Sequence, residues 1–239
     1  MTIHPVTLIG GGPGAWDLIT LRGARALEEA EVILTDHLGP ELERIVDVRD
    51  KEVIDVAKLP YGRSVAQEET NRLLVEHARA GRKVARLKGG DPYVFGRGFE
   101  ELQHLTEHGI ACEVIPGVTS AVSVPAAAGV PVTHRGVTHA FTVVSGHLAP
   151  GKGLVDWSAL AKVGGSIVVV MGVRHVAAIT AALIDAGLAP DTPAAAVMEG
   201  TTSAQRSVRG TVSTLAADMA EAGIGSPAVY VIGEVAGLS

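Results

Sequence analysis

The sequence has a single cysteine, Cys112, in 239 residues, and only 3% of its residues are aromatic. One thiol closes no disulfide within the chain and builds no multi-cysteine metal site. Few aromatics speak against an aromatic-rich β-sandwich and for packed α/β layers. Long apolar runs are missing too: the longest, around "SIVVVMGV", is strand-sized, well short of the roughly 20 residues of a bilayer-spanning helix. The opening "MTIHPVTLIGGG" lacks the basic start and apolar core of a signal peptide. Positive charge is in deficit, with 20 Lys and Arg against 26 Asp and Glu and a net charge of −6. That balance excludes a general nucleic-acid binder, which needs a basic face, yet leaves room for a local basic pocket. No low-complexity segment or short-period repeat is present. The expectation is a soluble, cytoplasmic protein with neither a membrane nor a nucleic-acid partner.

What is abundant is apolar sequence, 47% of residues, together with 29 glycines. Short β-branched runs alternate with helix-like segments, the pattern of an α/β chain. Strands are expected near 5–9, 31–35, 52–55, 83–87 and 112–115, and helices near 20–30, 66–80 and 98–108. In the second half, strands are expected near 140–145, 166–171, 194–198, 206–212 and 228–233. Little room for a helix lies between 194 and 212, so those two strands should pair antiparallel. The first half therefore reads as a mainly parallel sheet and the second as a mixed one. "EVIPGVTS" breaks the pattern, and a helix from about Thr119 leads onward. The expected domains are 1–117 and 118–239.

The loop Gly10-Gly11-Gly12-Pro13-Gly14-Ala15 fits G-x-G-x-x-G/A, and Asp36 ends the next apolar run, "VILTD". A dinucleotide fingerprint needs its helix to begin at the second glycine, so that the first amides hold a pyrophosphate. Pro13-Gly14 is a poor helix start. Asp17 or Thr20 is a better N-cap, ahead of "LRGARALEEA". A wide glycine loop remains, which either brings backbone close to a ligand or is a plain strand-to-helix turn.

The segment Arg86–Arg97, "RLKGGDPYVFGR", is the richest. Arg86 and Lys88 alternate with Leu87 and share a face. Gly89-Gly90 turns the chain and Asp91-Pro92 stops it. An acid just after a strand's carboxyl end can bind ligand hydroxyls or amines, or can close an ordinary β-turn with an Asx bond. In order along the chain, "IGGGPGAWDLITLRGARAL", "RLKGGDPYVFGRGFEE", "PGVTSAVSVPAAAGVPVTHR" and "MEGTTSAQRSV" resemble the tetrapyrrole methylase family, from about Val6 to Val235.

The resemblance implies a two-domain α/β methyltransferase, usually a homodimer, holding S-adenosylmethionine in a cleft that its second domain completes. It places cofactor contacts at Pro13, Gly89, Gly90, Asp91, Val94, Thr119, Ser120, Met171 and Gly200, with Ala228 in "SPAVYVIGEV" a weaker transfer. It implies twofold methylation of uroporphyrinogen III, at C2 and C7, giving precorrin-2 on the way to siroheme or cobalamin. A later precorrin methylase of the same fold and a dinucleotide oxidoreductase are the competing readings. Methylation of a pyrrole carbon leaves a cation that must lose a proton, and a carboxylate suits that step. Asp36 matches the family position for this base and Lys58 that for a proton donor. The carboxylates of the substrate need cations, and Arg63, Arg97 and Arg135 are the candidates. The chain departs from the family at His37, Tyr93 and Phe99, which bears on substrate contacts more than on fold. It also lacks the extra length expected of a fused siroheme enzyme.

Other signals are weaker. His104-Leu105-Thr106-Glu107-His108 reads H-x-x-E-H, but its helix carries Phe99, Leu102 and Leu105 and no third ligand is evident, so no metal is expected. Cys112 suits a buried strand position better than a nucleophile. Met171 reads as core from sequence alone. Ser145-Gly146-His147 has no acid at a telling spacing for a hydrolase triad.

Overall fold

A computed structural model describes residues 2–36, 38–58 and 63–238, the side chains of 58 and 63–66 excepted. The chain divides into two compact units, Met1–Thr119 and Ser120–Ser239. Each is built on one five-stranded sheet.

The first sheet takes β1 (Val6–Gly10), β2 (Val32–Thr35), β3 (Glu52–Asp55), β4 (Val84–Lys88) and β5 (Cys112–Ile115) in the order β3-β2-β4-β1-β5. Every pairing is parallel. A parallel sheet is covered on both faces, and side chains alternate accordingly. Val6, Leu8, Val32, Leu34 and Val84 pack with Leu74 and Val75 of α2 (Arg63–Arg79) and Leu105 of α3 (Gly98–Glu107). Ile9, Ile33, Ala85 and Leu87 pack with Leu27 of α1 (Leu21–Glu29). Each such side chain taken fully out of water contributes about 1.5–3 kcal/mol.

The second sheet is mixed. Its order is β6 (Phe141–Ser145), β7 (Ser166–Val170), β10 (Ala228–Ile232), β8 (Pro193–Met198), β9 (Arg206–Thr211). β6 and β7 run parallel, whereas β10 is antiparallel to both neighbours and β8 is antiparallel to β9. One face meets α4 (Ser120–Ala127), whose Ala121 and Val124 pack with Val168, Val170, Ala195, Val197, Val229 and Val231. The other carries Trp157 of α5 (Trp157–Val163), Ile179 and Leu183 of α6 (Val176–Asp185), and Leu215 and Met219 of α7 (Leu215–Glu221).

The strands lie within a residue or so of their expected places, and β8 and β9 pair antiparallel as the short spacing required. The helices α5, α6 and α7 had no counterpart in the sequence reading. No helix is long and apolar enough to cross a membrane among the described residues.

Candidate functional site

Parallel strands end together. In the first unit the carboxyl ends of β1, β2, β4 and β5 therefore deliver the glycine loop, Asp36, the segment Gly89–Asp91 and Gly117 to one edge of the sheet. Open α/β sheets bind their ligands outside this edge.

The opening loop follows the later of the two helix starts. Thr20 caps α1, its hydroxyl accepting from the Gly23 N–H at 3.1 Å, a cap of about 1 kcal/mol. Pro13 and Gly14 precede it in open loop, so α1 begins well beyond the glycines. The loop instead docks on its neighbours by backbone. Gly12 and Gly90 exchange hydrogen bonds, N–H to carbonyl, at 3.2 and 2.6 Å, and the Gly11 N–H donates to the Lys88 carbonyl at 2.7 Å. A Cβ on Gly117 would lie 2.2 Å from the Gly90 carbonyl oxygen, and one on Gly10 would lie 2.4 Å from the Gly117 nitrogen. The glycines of the three loops thus serve one another first, as close-packed backbone.

Asp91 links these loops. Its Oδ1 accepts from the Tyr93 N–H at 2.8 Å, the local Asx bond. Its Oδ2 accepts from the Gly117 N–H at 3.0 Å, from a loop 26 residues away in sequence. Both readings of this acid therefore hold at once: it closes its own turn and it ties two strand ends together, with a further lone pair left on each oxygen. Beyond it, Phe95 and Arg97 have φ of 56° and 58°. Left-handed backbone at such residues costs energy and gathers at functional segments. Val94 and Tyr93 are exposed here, and Tyr93 meets Phe99 edge-on with ring centroids 5.9 Å apart. Arg97 is exposed and ion-paired to Glu100.

Asp36 and its surroundings hold a cluster that the sequence reading missed. Arg86 Nη2 donates to Asp36 Oδ2 at 3.0 Å. Glu101, fully buried on α3, accepts from Lys88 Nζ at 2.9 Å. Lys88 is itself buried, so its ammonium serves the interior. Burial and the adjacent Arg86 push its pKa down, against the pull of Glu101. The signal available in the sequence was the alternation: Leu34 and Asp36 fall on the parity of Arg86 and Lys88, and Leu34 stands opposite Arg86 in the register. Two cations on a strand whose faces are both covered demand buried anions.

Lys58 ends a short 3-10 turn and Arg63 begins α2, but both side chains lie outside the described residues. His37, a departure from the family pattern, is also outside them. Cys112, at the start of β5, has its thiol pushed up to about 12, by burial first and then by the carboxylates of Glu101 and Glu113. A thiol so held is a poor nucleophile. His104 and His108 stack with ring centroids 4.4 Å apart, and no group able to hold a metal ion is found among the described residues.

In the second unit, antiparallel pairing of β10 puts its first residue beside the last residues of its neighbours. Ala228 pairs with Met198, and Val229 with Val170. Met171, Gly200 and Ala228 therefore collect at one end of that sheet. Met171, Glu199 and Thr201 all have positive φ there, at 56°, 47° and 72°, and Met171 is exposed rather than core. Gly200 is required by contact, since a Cβ would lie 2.6 Å from Val124 Cγ1 of α4. Ser120 begins α4, directly after Thr119. Arg135 is exposed in the turn between the bridged residues His134 and Thr138.

The profile of the Tetrapyrrole (Corrin/Porphyrin) Methylases matches residues 5–216. A siroheme synthase of Chromobacterium violaceum is 47% identical over 98% of the chain, which spans half of that relative's length. An S-adenosyl-L-methionine-dependent uroporphyrinogen III methyltransferase of Methanosarcina barkeri is 44% identical over 96% of the chain and 91% of its own length. The crystal structure of uroporphyrin-III C-methyl transferase from Thermus thermophilus complexed with S-adenosyl homocysteine is 40% identical with a TM-score of 0.81, covering 97% of this chain and 98% of that one.

Proposed function

Because the chain belongs to the tetrapyrrole methylase family, we propose that it is an S-adenosylmethionine-dependent C-methyltransferase that methylates uroporphyrinogen III at C2 and C7 to give precorrin-2. The observation that carries this reading is the convergence of the glycine loop, Asp36 and Gly89–Asp91 at the carboxyl edge of one parallel sheet.

The residues present fit S-adenosylmethionine. Half-buried glycine backbone at Gly89 and Gly90 and the Asp91 carboxylate stand at the edge of the first sheet, and exposed Met171 stands at the end of the second. As the family resemblance implies, Pro13, Gly89, Gly90, Asp91, Val94, Thr119, Ser120, Met171, Gly200 and Ala228 would hold it. When bound, this group supplies an electrophilic methyl on a sulfonium.

The chain's own contribution is to align a pyrrole carbon with that methyl, to exclude water, and to remove the proton that the methylated ring system, then a cation, must lose elsewhere. Asp36 accepts that proton on its carboxylate, and Lys58 acts as proton donor. Arg63, Arg97 and Arg135 bind the carboxylates of the substrate. The enzyme works in the cytoplasm, the location its composition and opening segment favour, and as a homodimer, as the family resemblance implies, and its product serves siroheme or cobalamin synthesis.

The test is direct. The protein is incubated with S-adenosylmethionine and uroporphyrinogen III, and the product is weighed by mass spectrometry. A gain of two methyl groups is expected, and no transfer sinks the reading. Thermal stabilisation by S-adenosylhomocysteine but not by NADH separates it from an oxidoreductase.

A further inference from the structure

We propose that Arg86, itself clamped by Glu101, is the positioning residue that fixes the Asp36 carboxylate for its work, an inference that rests on Asp36 acting as the base. Four charges meet where β2 and β4 face α2 and α3. Glu101 Oε1 is the hub: it accepts from Lys88 Nζ at 2.9 Å and from Gln67 Nε2 at 3.2 Å, and Arg86 Nε stands 3.5 Å away. Arg86 Nη1 donates to the Leu87 carbonyl at 2.7 Å and lies 3.5 Å from that of Leu34. With that edge of the guanidinium tied to backbone and Nε facing Glu101, Nη2 points at Asp36 Oδ2, 3.0 Å away. The other oxygen of Asp36 accepts from the Leu38 N–H at 3.1 Å. One oxygen is thus held by the local turn and the other by a guanidinium set by helix and strand.

The exposure pattern gives the cluster a direction. The side chains of Arg86, Lys88 and Glu101 are 6%, 5% and 0% exposed, and that of Asp36 is 21% exposed. Three charges are sealed in the interior and the fourth reaches out at the strand end. Such a cluster is an expensive way to fill a core: apolar residues of similar volume are often neutral or stabilising in place of buried ion pairs. It also leaves Glu101 Oε2 buried without a hydrogen-bond partner among the described residues. What it supplies is geometry. A fork of donors on a rigid guanidinium selects one orientation of a carboxylate, and misplacing a reacting group by about 1 Å can cost on the order of a hundredfold in rate.

The experiment is a double-mutant cycle on the full chain, with turnover of uroporphyrinogen III and KM for both substrates measured. Its variants are Arg86→Met, Arg86→Lys, Asp36→Asn and the two doubles. Arg86→Met is expected to lower kcat by roughly ten- to a hundredfold, with the KM for S-adenosylmethionine changed less than about twofold. Arg86→Lys keeps the charge and is expected to recover part of the loss, and it serves as the folded variant if Arg86→Met does not fold. In the Asp36→Asn background the Arg86 substitutions are expected to add less than about twofold, because a positioning residue has nothing left to position. An unchanged kcat in the folded Arg86 variants overturns the proposal. So does an Arg86 loss of the same size in the Asp36→Asn background as in the wild type, which marks a structural role, and so does near-normal turnover by Asp36→Asn. A wild-type protein that transfers no methyl group overturns the enzymatic reading itself, and the proposal with it.

Discussion

Both units bring strand ends together by close glycine backbone, Gly10 with Gly117 in the first and Gly146 with Gly172 in the second, but only the first adds a cluster of buried charge. The parallel sheet holds Arg86, Lys88 and Glu101 in its interior and stacks Gly10, Gly90 and Gly117 against one another. The mixed sheet is filled mostly by Val, Ile, Ala and Leu, with Trp157, Met198, Met219 and Tyr230 among them, and its bends are made by ordinary residues, Met171, Glu199 and Thr201, at positive φ. The difference teaches where specificity is kept. Buried charge tolerates little change in shape, whereas an aliphatic interior adjusts when volume and pattern are kept. The unit that carries the candidate base is the one built from the less forgiving materials.

This contrast can be broken at its strongest point by Glu101→Leu. Removing the hub leaves Arg86 and Lys88 buried without their shared anion, and a loss of about 3–5 kcal/mol is expected in denaturant unfolding. A loss under about 1 kcal/mol would show that the charges relax outward, and the contrast between the units would go. The next effect is chemical. With its thiol at about 12, Cys112 should alkylate with iodoacetamide at about pH 8 at least about a hundredfold more slowly than a free thiol, since only the thiolate reacts. The rate should still be rising with pH above about 9, where an ordinary thiol levels off. Ordinary labelling kinetics would mean that the β5 edge opens readily.

A matched pair of glycines sharpens the comparison further. In Gly117→Ala the new methyl meets the Gly90 carbonyl and Gly10 backbone, whereas in Gly200→Ala it meets only the side chain of Val124. Overpacking typically costs about 1–3 kcal/mol, and Gly117→Ala should fall at the upper end or beyond and Gly200→Ala at the lower. The reverse order in thermal unfolding would contradict the backbone argument. The smallest effect belongs to Tyr230, whose hydroxyl is buried without a hydrogen-bond partner among the described residues and whose pKa is raised by burial. Tyr230→Phe removes a polar group that gains nothing, so stability should stay level or rise by up to about 1 kcal/mol. A clear loss would reveal a partner for that hydroxyl.

The strands could be read from the sequence because apolar runs such as "VTLIG" and "SIVVV" are short, β-branched and bounded by glycine. The last three helices could not. α6, "VAAITAALID", is rich in alanine and apolar almost all round, and α5 and α7 have only seven residues each. At that length, tertiary packing rather than local pattern decides the helix. The strand-end positions of Pro13, Asp36 and Asp91 followed from the same runs. The partners of Arg86 did not, because Glu100 and Glu101 are adjacent and chemically alike, yet one is exposed and the other fully buried. Only the rotation of α3 against β4 distinguishes them, and that rotation is set by residues far away along the chain. Asp91 shows the same limit: its Asx bond is local and could be anticipated, while its bond to Gly117 could not.

The position of β10 carries a consequence for how the protein is made. In the C-terminal sheet the last strand in the chain is the middle one, seated between β7 and β8. In the N-terminal sheet the first strand, β1, lies between β4 and β5, ready from the outset to receive later arrivals. During synthesis the N-terminal sheet can close once β5 has emerged, because units fold as the chain is delivered. The C-terminal sheet has no such early option. A ribosome halted before residue 228 would hold β6 with β7 and β8 with β9 as two separate pairs, each offering an open edge to any other strand.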